Sequence, residues 1–194
     1  MRTKLIFLVS LLMLAGCVPT YSLLAPATHE VSKGEARVTN TIPWNKAPLY
    51  GATKQTELWT LNGPALDSVT FIAVVPDGEN IVKQKKKADR QVPAFSATMT
   101  PPEFVSLVES YYRIQIGAVD YETTNVMPAD FMGGTGMQID YRFTGTDDVK
   151  RRGRTMLIVI DDKLYMVSGL GTALHYYDAM LPEFESMMRT ARID

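Results

Sequence analysis

The chain has 194 residues, 46% of them hydrophobic and 21% charged, with 20 basic against 21 acidic side chains and a single cysteine. The near-neutral balance excludes the strongly basic face typical of nucleic-acid-binding domains, and one cysteine excludes an internal disulfide. The length suits one domain able to bury a sizeable core.

At the start, Arg2 and Lys4 flank an apolar run from Leu5 to Ala15, closed by Leu14-Ala15-Gly16-Cys17. A basic start, a short apolar run and small residues at a cut site make a secretory signal. The run is too short to span a bilayer core, which needs about 20 residues. The residue after the small pair is the only cysteine. The pattern resembles the lipobox of bacterial lipoproteins. That resemblance implies cleavage between Gly16 and Cys17, a diacylglyceryl thioether on the Cys17 sulfur and acylation of the new amine. Each buried methylene contributes about 0.8 kcal/mol, so two or more acyl chains hold where one is marginal. Val18 stands where enterobacterial sorting places Asp for inner-membrane retention. The resemblance therefore implies the periplasmic face of the outer membrane. The mature chain then has 194 − 16 = 178 residues and 20 − 2 = 18 basic side chains, because Arg2 and Lys4 leave with the leader.

Residues 17–34 read as a lipidated N-terminus and tether, punctuated by Pro19, Ser22, Pro26, Ser32 and Gly34 with little periodicity. Glu35–Ile42 reads as a first strand, broken by Pro43-Trp44-Asn45, with Trp44 a core or lid aromatic. Glu57–Leu61 is a strand ended by the turn Asn62-Gly63-Pro64. Ser68–Val75 is a buried strand rich in β-formers. Asp77-Gly78 turns the chain, and Ile81-Val82 is expected to return as a short strand. Thr100-Pro101-Pro102-Glu103 has the spacing of a capping box with proline at the first helical position. Phe104, Leu107, Val108, Tyr111 and Tyr112 then fall on one helical face, with Gly117 as the stop. Val119–Met127 reads as a strand running into Pro128, and Met137–Phe143 as a clean period-two strand. Met156–Ile160 is a continuous apolar run, expected as a central strand covered on both faces. Asp161-Asp162-Lys163 turns it into Leu164–Leu170, which completes an antiparallel meander. Tyr177, Leu181, Phe184, Met187, Met188 and Ala191 form the stripe of a last helix. Thr172 is a candidate cap, and the regular part is expected from Asp178, so that Pro182 falls in the first turn.

Four groups invite chemistry. The lysines at 83 and 85–87 suit an anionic surface, but charge runs usually solvate a loop. The glycine-rich stretch Gly133–Gly136 lacks the strand-loop-helix setting and the lysine that phosphate binding requires, so a turn or bulge is expected. Asp147-Asp148 and Asp161-Asp162 sit in separate turns, where turn chemistry explains Asp without calcium. Ser168, His175 and Asp178 tempt a hydrolytic triad, but Ser168 lies within a strand and lacks the strained turn of a nucleophile. His29 falls in the expected tether. No catalytic, cofactor-binding or metal-binding residue is therefore assigned; Cys17 is the one assigned site, for lipidation.

Glu57–Pro64, Thr100–Phe104, Gly134–Phe143 and the His175–Glu185 ending resemble the corresponding motifs of uncharacterised proteobacterial envelope lipoproteins, over most of residues 35–194. The meander plus a terminal Pro-Glu-Phe helix also resembles PsbP-like α/β domains, which implies a non-catalytic accessory role. The expectation is a leader at 1–16 and a single α+β domain at 35–194. In that domain a mainly antiparallel sheet with a C-terminal meander carries two principal helices. The expected function is a membrane-anchored envelope module that binds a protein or envelope component without nucleic acid or cofactor. A small envelope hydrolase or a carrier of an apolar ligand are the alternatives.

Overall fold

A computed structural model describes residues 20–49, 53, 55–84 and 89–193. Ten strands and two principal helices follow one another in the order β1 (Ser22–Leu24), β2 (Ala27–Val31), β3 (Ala36–Asn40), β4 (Trp44–Lys46), β5 (Thr56–Thr60), β6 (Asp67–Pro76), α1 (Pro101–Ser110), β7 (Asp120–Phe131), β8 (Gly134–Thr144), β9 (Lys150–Ile160), β10 (Lys163–Thr172) and α2 (Tyr176–Thr190). The fold is α+β, as expected. Eight strands form one antiparallel sheet in the order β1-β4-β5-β6-β10-β9-β8-β7, and β2 and β3 pair apart from it as a hairpin.

The sheet has an apolar layer on each face. On one, Trp44, Trp59, Phe71, Met156 and Val167 pack with Tyr177, Met180, Phe184 and Met187 of α2 and with Val31 and Val38 of the hairpin. On the other, Ile72, Met166, Leu157, Ile139 and Tyr141 pack under Phe104, Leu107, Val108, Tyr111 and Tyr112. β9 contributes alternate residues to both layers, which is why Met156–Ile160 is continuously apolar.

Local chemistry sets the helix ends. The Thr100 N–H and Oγ1 donate to Glu103 Oε2 at 2.6 and 2.7 Å, forming the capping box. The Thr100 backbone amide holds the Glu103 carboxyl below its usual range. α1 continues as a wider π-helical turn, Tyr111–Ile116, which Gly117 ends in the left-handed region at φ 81°. The turn presents both tyrosines inward, and Tyr141 donates its hydroxyl hydrogen bond to Tyr112. Tyr141 fits because its cross-strand partner is Gly153: a Cβ there would lie 2.3 Å from the ring.

Several expectations need correction. Residues 22–31 are not a free tether. β1 pairs with β4 in register Leu23↔Asn45, and β2 pairs with β3 in register His29↔Val38. Any tether lies before Thr20, outside the described residues. Pro43 does not end the sheet, because Trp44 buries its ring and opens β4. Ile81 and Val82 are buried in a bend rather than a strand; only Asn80 bridges, to Ala94. β7 runs through Pro128, which is tolerated because β7 is an edge strand. α2 starts at Tyr176, two residues before the expected start, with His175 rather than Thr172 at its cap. Pro182 is thus inside the helix. It lies on the exposed face, where water can serve the carbonyl it leaves unpaired. Burial of Tyr177, Met180 and Phe184 outweighs that lost bond.

Two substitutions test this reading. Gly153→Ala forces a methyl into the Tyr141 ring and is expected to lower stability by about 1–3 kcal/mol. Urea denaturation should show a lower midpoint at unchanged slope. Asp161 and Asp162, at φ 49° and 57°, make the two-residue β9–β10 turn that needs positive φ at both positions. Asp162→Gly completes the favoured Asp-Gly pair and is expected to raise the melting temperature by about 1–2 °C.

Candidate functional site

The residues singled out for chemistry are engaged separately. Ser168 is buried in mid-β10, with its Oγ 2.7 Å from Thr155 Oγ1 of β9. His175 is exposed at the head of α2, its ring edge-on to Tyr176. Asp178 accepts from Arg152 Nη1 at 2.8 Å. The three do not converge. Gly133 takes φ 82° in the β7–β8 turn, and Gly134 and Gly136 lie within β8. Asp147 accepts both Arg151 Nη atoms, at 2.8 and 2.7 Å, and these bonds hold its carboxyl well below the usual carboxylate range. Asp161 and Asp162 form a separate turn at the other end of β9. Among the described residues no three His, Cys, Asp or Glu side chains gather as a metal site. Cys17 and Lys85–Lys87 lie outside the described residues, whereas Lys83 is exposed beside Gln84. Gln84 staples that loop by donating to Val92 O at 2.8 Å. His29 is part of β2, with Nε2 2.8 Å from Ala25 O and its ring edge-on to Trp59.

Two grooves could hold a ligand. One, of about 470 Å³, opens where β7, β8 and β9 end near Thr144 and Lys150. Its walls carry Arg142, Lys150, Arg151 and Arg152 with Asp120 and Glu122, and Asp147 and Asp178 pair with Arg151 and Arg152 just outside it. Arg142 reaches Glu122 at 2.7 Å, and Arg152 lies over the Tyr177 ring at 4.6 Å as well as bonding Asp178. Lys150 is exposed and has no ion pair among the described residues. With Asp147 and Asp178 holding Arg151 and Arg152, the groove is close to balanced in charge, and Lys150 is its uncommitted ammonium.

A second groove, of about 460 Å³, lies between the turn after β2 and strands β4 and β5. Three consecutive residues there, Ser32, Lys33 and Gly34, take φ of 52°, 69° and 89°. The Glu57 carboxylate is buried behind them, accepting from Trp59 Nε1 at 2.6 Å and pairing with Lys46 Nζ at 2.8 Å. The Ser32 hydroxyl is buried without a partner. Glu57 is thus a structural counter-ion that orients Trp59.

The sequence reading missed the edge where the chain enters. Leu24 pairs with Trp44 and packs toward the α2 side of the sheet. Alternation sends Leu23 and Tyr21 the other way, where they are 71% and 51% exposed. Among the described residues, none of β1, β4 or β5 joins the core cluster beneath α1, and only Leu58 of β5 shares a groove with Tyr111, Tyr112 and Ile116 of its π-helical turn. The signal was available. From Val18 to His29 the chain has no Asp, Glu, Lys or Arg, while Leu23-Leu24 interrupts the small and turn-forming residues.

No protein-family model matches the sequence, and no curated protein matches it either. Solved structures do match. The solution structure of cyanobacterial PsbP (CyanoP) from Synechocystis sp. PCC 6803 is similar over 93% of this chain and 97% of that one, at 16% identity and a TM-score of 0.58. The Ran-binding protein Mog1p of Saccharomyces cerevisiae is similar over 91% and 96%, at 11% identity and a TM-score of 0.52. At such identities the likeness is one of fold. The PsbP-like resemblance read from the meander and terminal helix is therefore present at the level of overall fold.

Proposed function

We propose that the protein is a lipid-anchored module of the bacterial cell envelope that binds a partner rather than transforming a substrate. Cys17 carries the anchor, and the periplasmic face of the outer membrane is the address. The observation that carries the binding role is where the reactive side chains are spent. Ser168 is bonded inside the core, Asp178 and Asp147 hold arginines, and Glu57 orients Trp59. Each such group stabilises the frame. What remains open is the groove around Lys150, whose unpaired ammonium suits a carboxylate of a partner protein. Its strands lie at the opposite side of the sheet from β1: six spacings of about 4.8 Å separate β1 from β8, roughly 30 Å along the sheet. A partner bound there is clear of the anchored edge. PsbP-like and Mog1 folds lend themselves to this use, since the Mog1 structure is described as a Ran-binding protein.

Two experiments test the proposal. Replacing Cys17 with Ser is expected to leave the leader uncut and to abolish the acylated N-terminal peptide in mass spectra of the membrane fraction. Persistence of the same mature N-terminus would overturn the anchor. A photocrosslinking residue in place of Lys150 is expected to give one discrete adduct in intact cells, absent when the residue replaces exposed Lys163. Equal labelling from both sites would overturn the groove.

A further inference from the structure

We infer that the β1 edge rests on the lipid surface, with Tyr21 and Leu23 seated at the boundary between head groups and acyl chains. The inference rests on the anchor reading of Cys17 and adds an orientation to it. The chain length leaves little room for anything else. Tyr21 stands four positions after Cys17, a step that spans at most about 14 Å. The head-group layer on one side of a bilayer takes up roughly 5–8 Å of that. The folded body therefore begins within one layer of side chains of the membrane, and β1 is the part of it that arrives first.

What β1 presents there fits a lipid surface. Tyr21 and Leu23 are exposed side chains two residues apart, one an amphipathic ring suited to the interface and the other purely apolar. Nothing charged lies between Val18 and His29 to resist dehydration. The two edges of the sheet also differ. β7 is guarded against pairing by Pro128, by Asp120, Glu122 and Asp130, and by the bulge between Thr123 and Asn125. β1 is guarded only by its shortness, three residues, and carries no charge, which leaves it free to lie against a bilayer.

The test uses the mature lipidated protein in vesicles of phosphatidylethanolamine and phosphatidylglycerol. Cys17 is blocked by its thioether, so Leu23→Cys supplies the one free thiol for a nitroxide label. Asn125→Cys on the opposite edge is the control. Both positions are exposed, so neither change threatens folding. Collision with oxygen, which concentrates in lipid, is compared with collision with a water-soluble nickel chelate. The expected result is an oxygen-to-nickel ratio several-fold higher at position 23 than at 125, falling to the control value when the vesicles are dissolved in detergent and the protein is cleaved free of its anchor. A water-like ratio at position 23 in protein that still floats with the vesicles overturns the orientation and leaves the anchor standing. Failure to float overturns both. Protection of position 23 from both reagents, growing with protein density, points to a second copy of the chain on this edge and also overturns the inference.

Discussion

An antiparallel sheet with apolar side chains on both faces must be covered twice, and that requirement organises this molecule. α2 and the β2–β3 hairpin cover one face, and α1 with its π-helical turn covers the other. The cover is tied down as well as packed. The buried Glu183 carboxylate of α2 accepts the Thr41 backbone N–H at 2.5 Å and the Thr41 hydroxyl, fixing the helix to the connection between β3 and β4. At the far end of the same helix, the Thr39 N–H donates to Thr190 Oγ1 at 2.9 Å, and Arg37 bridges to Arg192. Arg154 adds a third tie by donating to Asp140 of β8 and Glu185 of α2 from its own place in β9. These bonds are worth having because their groups are sheltered. Between exposed side chains such a pair contributes about 0–1 kcal/mol.

The second face is held differently. Under α1 the contacts are chiefly rings and hydroxyls: Tyr112 stacks near Tyr121 and Tyr141, with the Tyr141 hydroxyl bonded to that of Tyr112. Burial pushes both hydroxyls up from their ordinary range, so they stay neutral donors and acceptors across the physiological span. Hydroxyls kept neutral can be matched one to one, whereas the buried Glu183 carboxylate takes three donors from Thr41 and Ile42. Ser168 and Thr155 repeat that solution one pair of strands away. A serine that sequence order sets near a histidine and an aspartate is, in space, part of this dry hydroxyl pairing.

How much of this was legible depended on how local each determinant is. The capping box at Thr100, the stop at Gly117 and the alternating strands of the meander are set by residues within a few positions of one another, and they fall where the sequence places them. β1 was unreadable because it is a strand only by virtue of partners in β4 at least twenty residues on, and β2 because proline and small residues hide its alternation. β4 follows Pro43 directly, so the breaker signal was real, but burial of Trp44 restarts the sheet. Pro182 misplaced the start of α2 for a similar reason. Helix propensity opposes it, and a buried stripe on the opposite face prevails. The groove around Lys150 was half visible, since Lys150-Arg151-Arg152 is a plain run of charge. Arg142 and Glu122 join it only through the pairing of β7, β8 and β9.

The double cover also explains why the molecule has one bare flank. Among the described residues the core under α1 runs from β6 to β7 and takes in none of β1, β4 or β5, whereas the α2 side is closed as far as Trp44. A sheet flank exposed to water needs polar side chains, and Asn45 supplies one, but its neighbour on β1 is Leu23. Leu23 is 71% exposed at a strand edge guarded only by its shortness, three residues. That exposure to water ends if the edge is held against an apolar boundary from the moment the chain is anchored. On the proposed anchoring, Cys17 stands five positions ahead of β1, and the exposed leucine and the short leash then share one physical explanation.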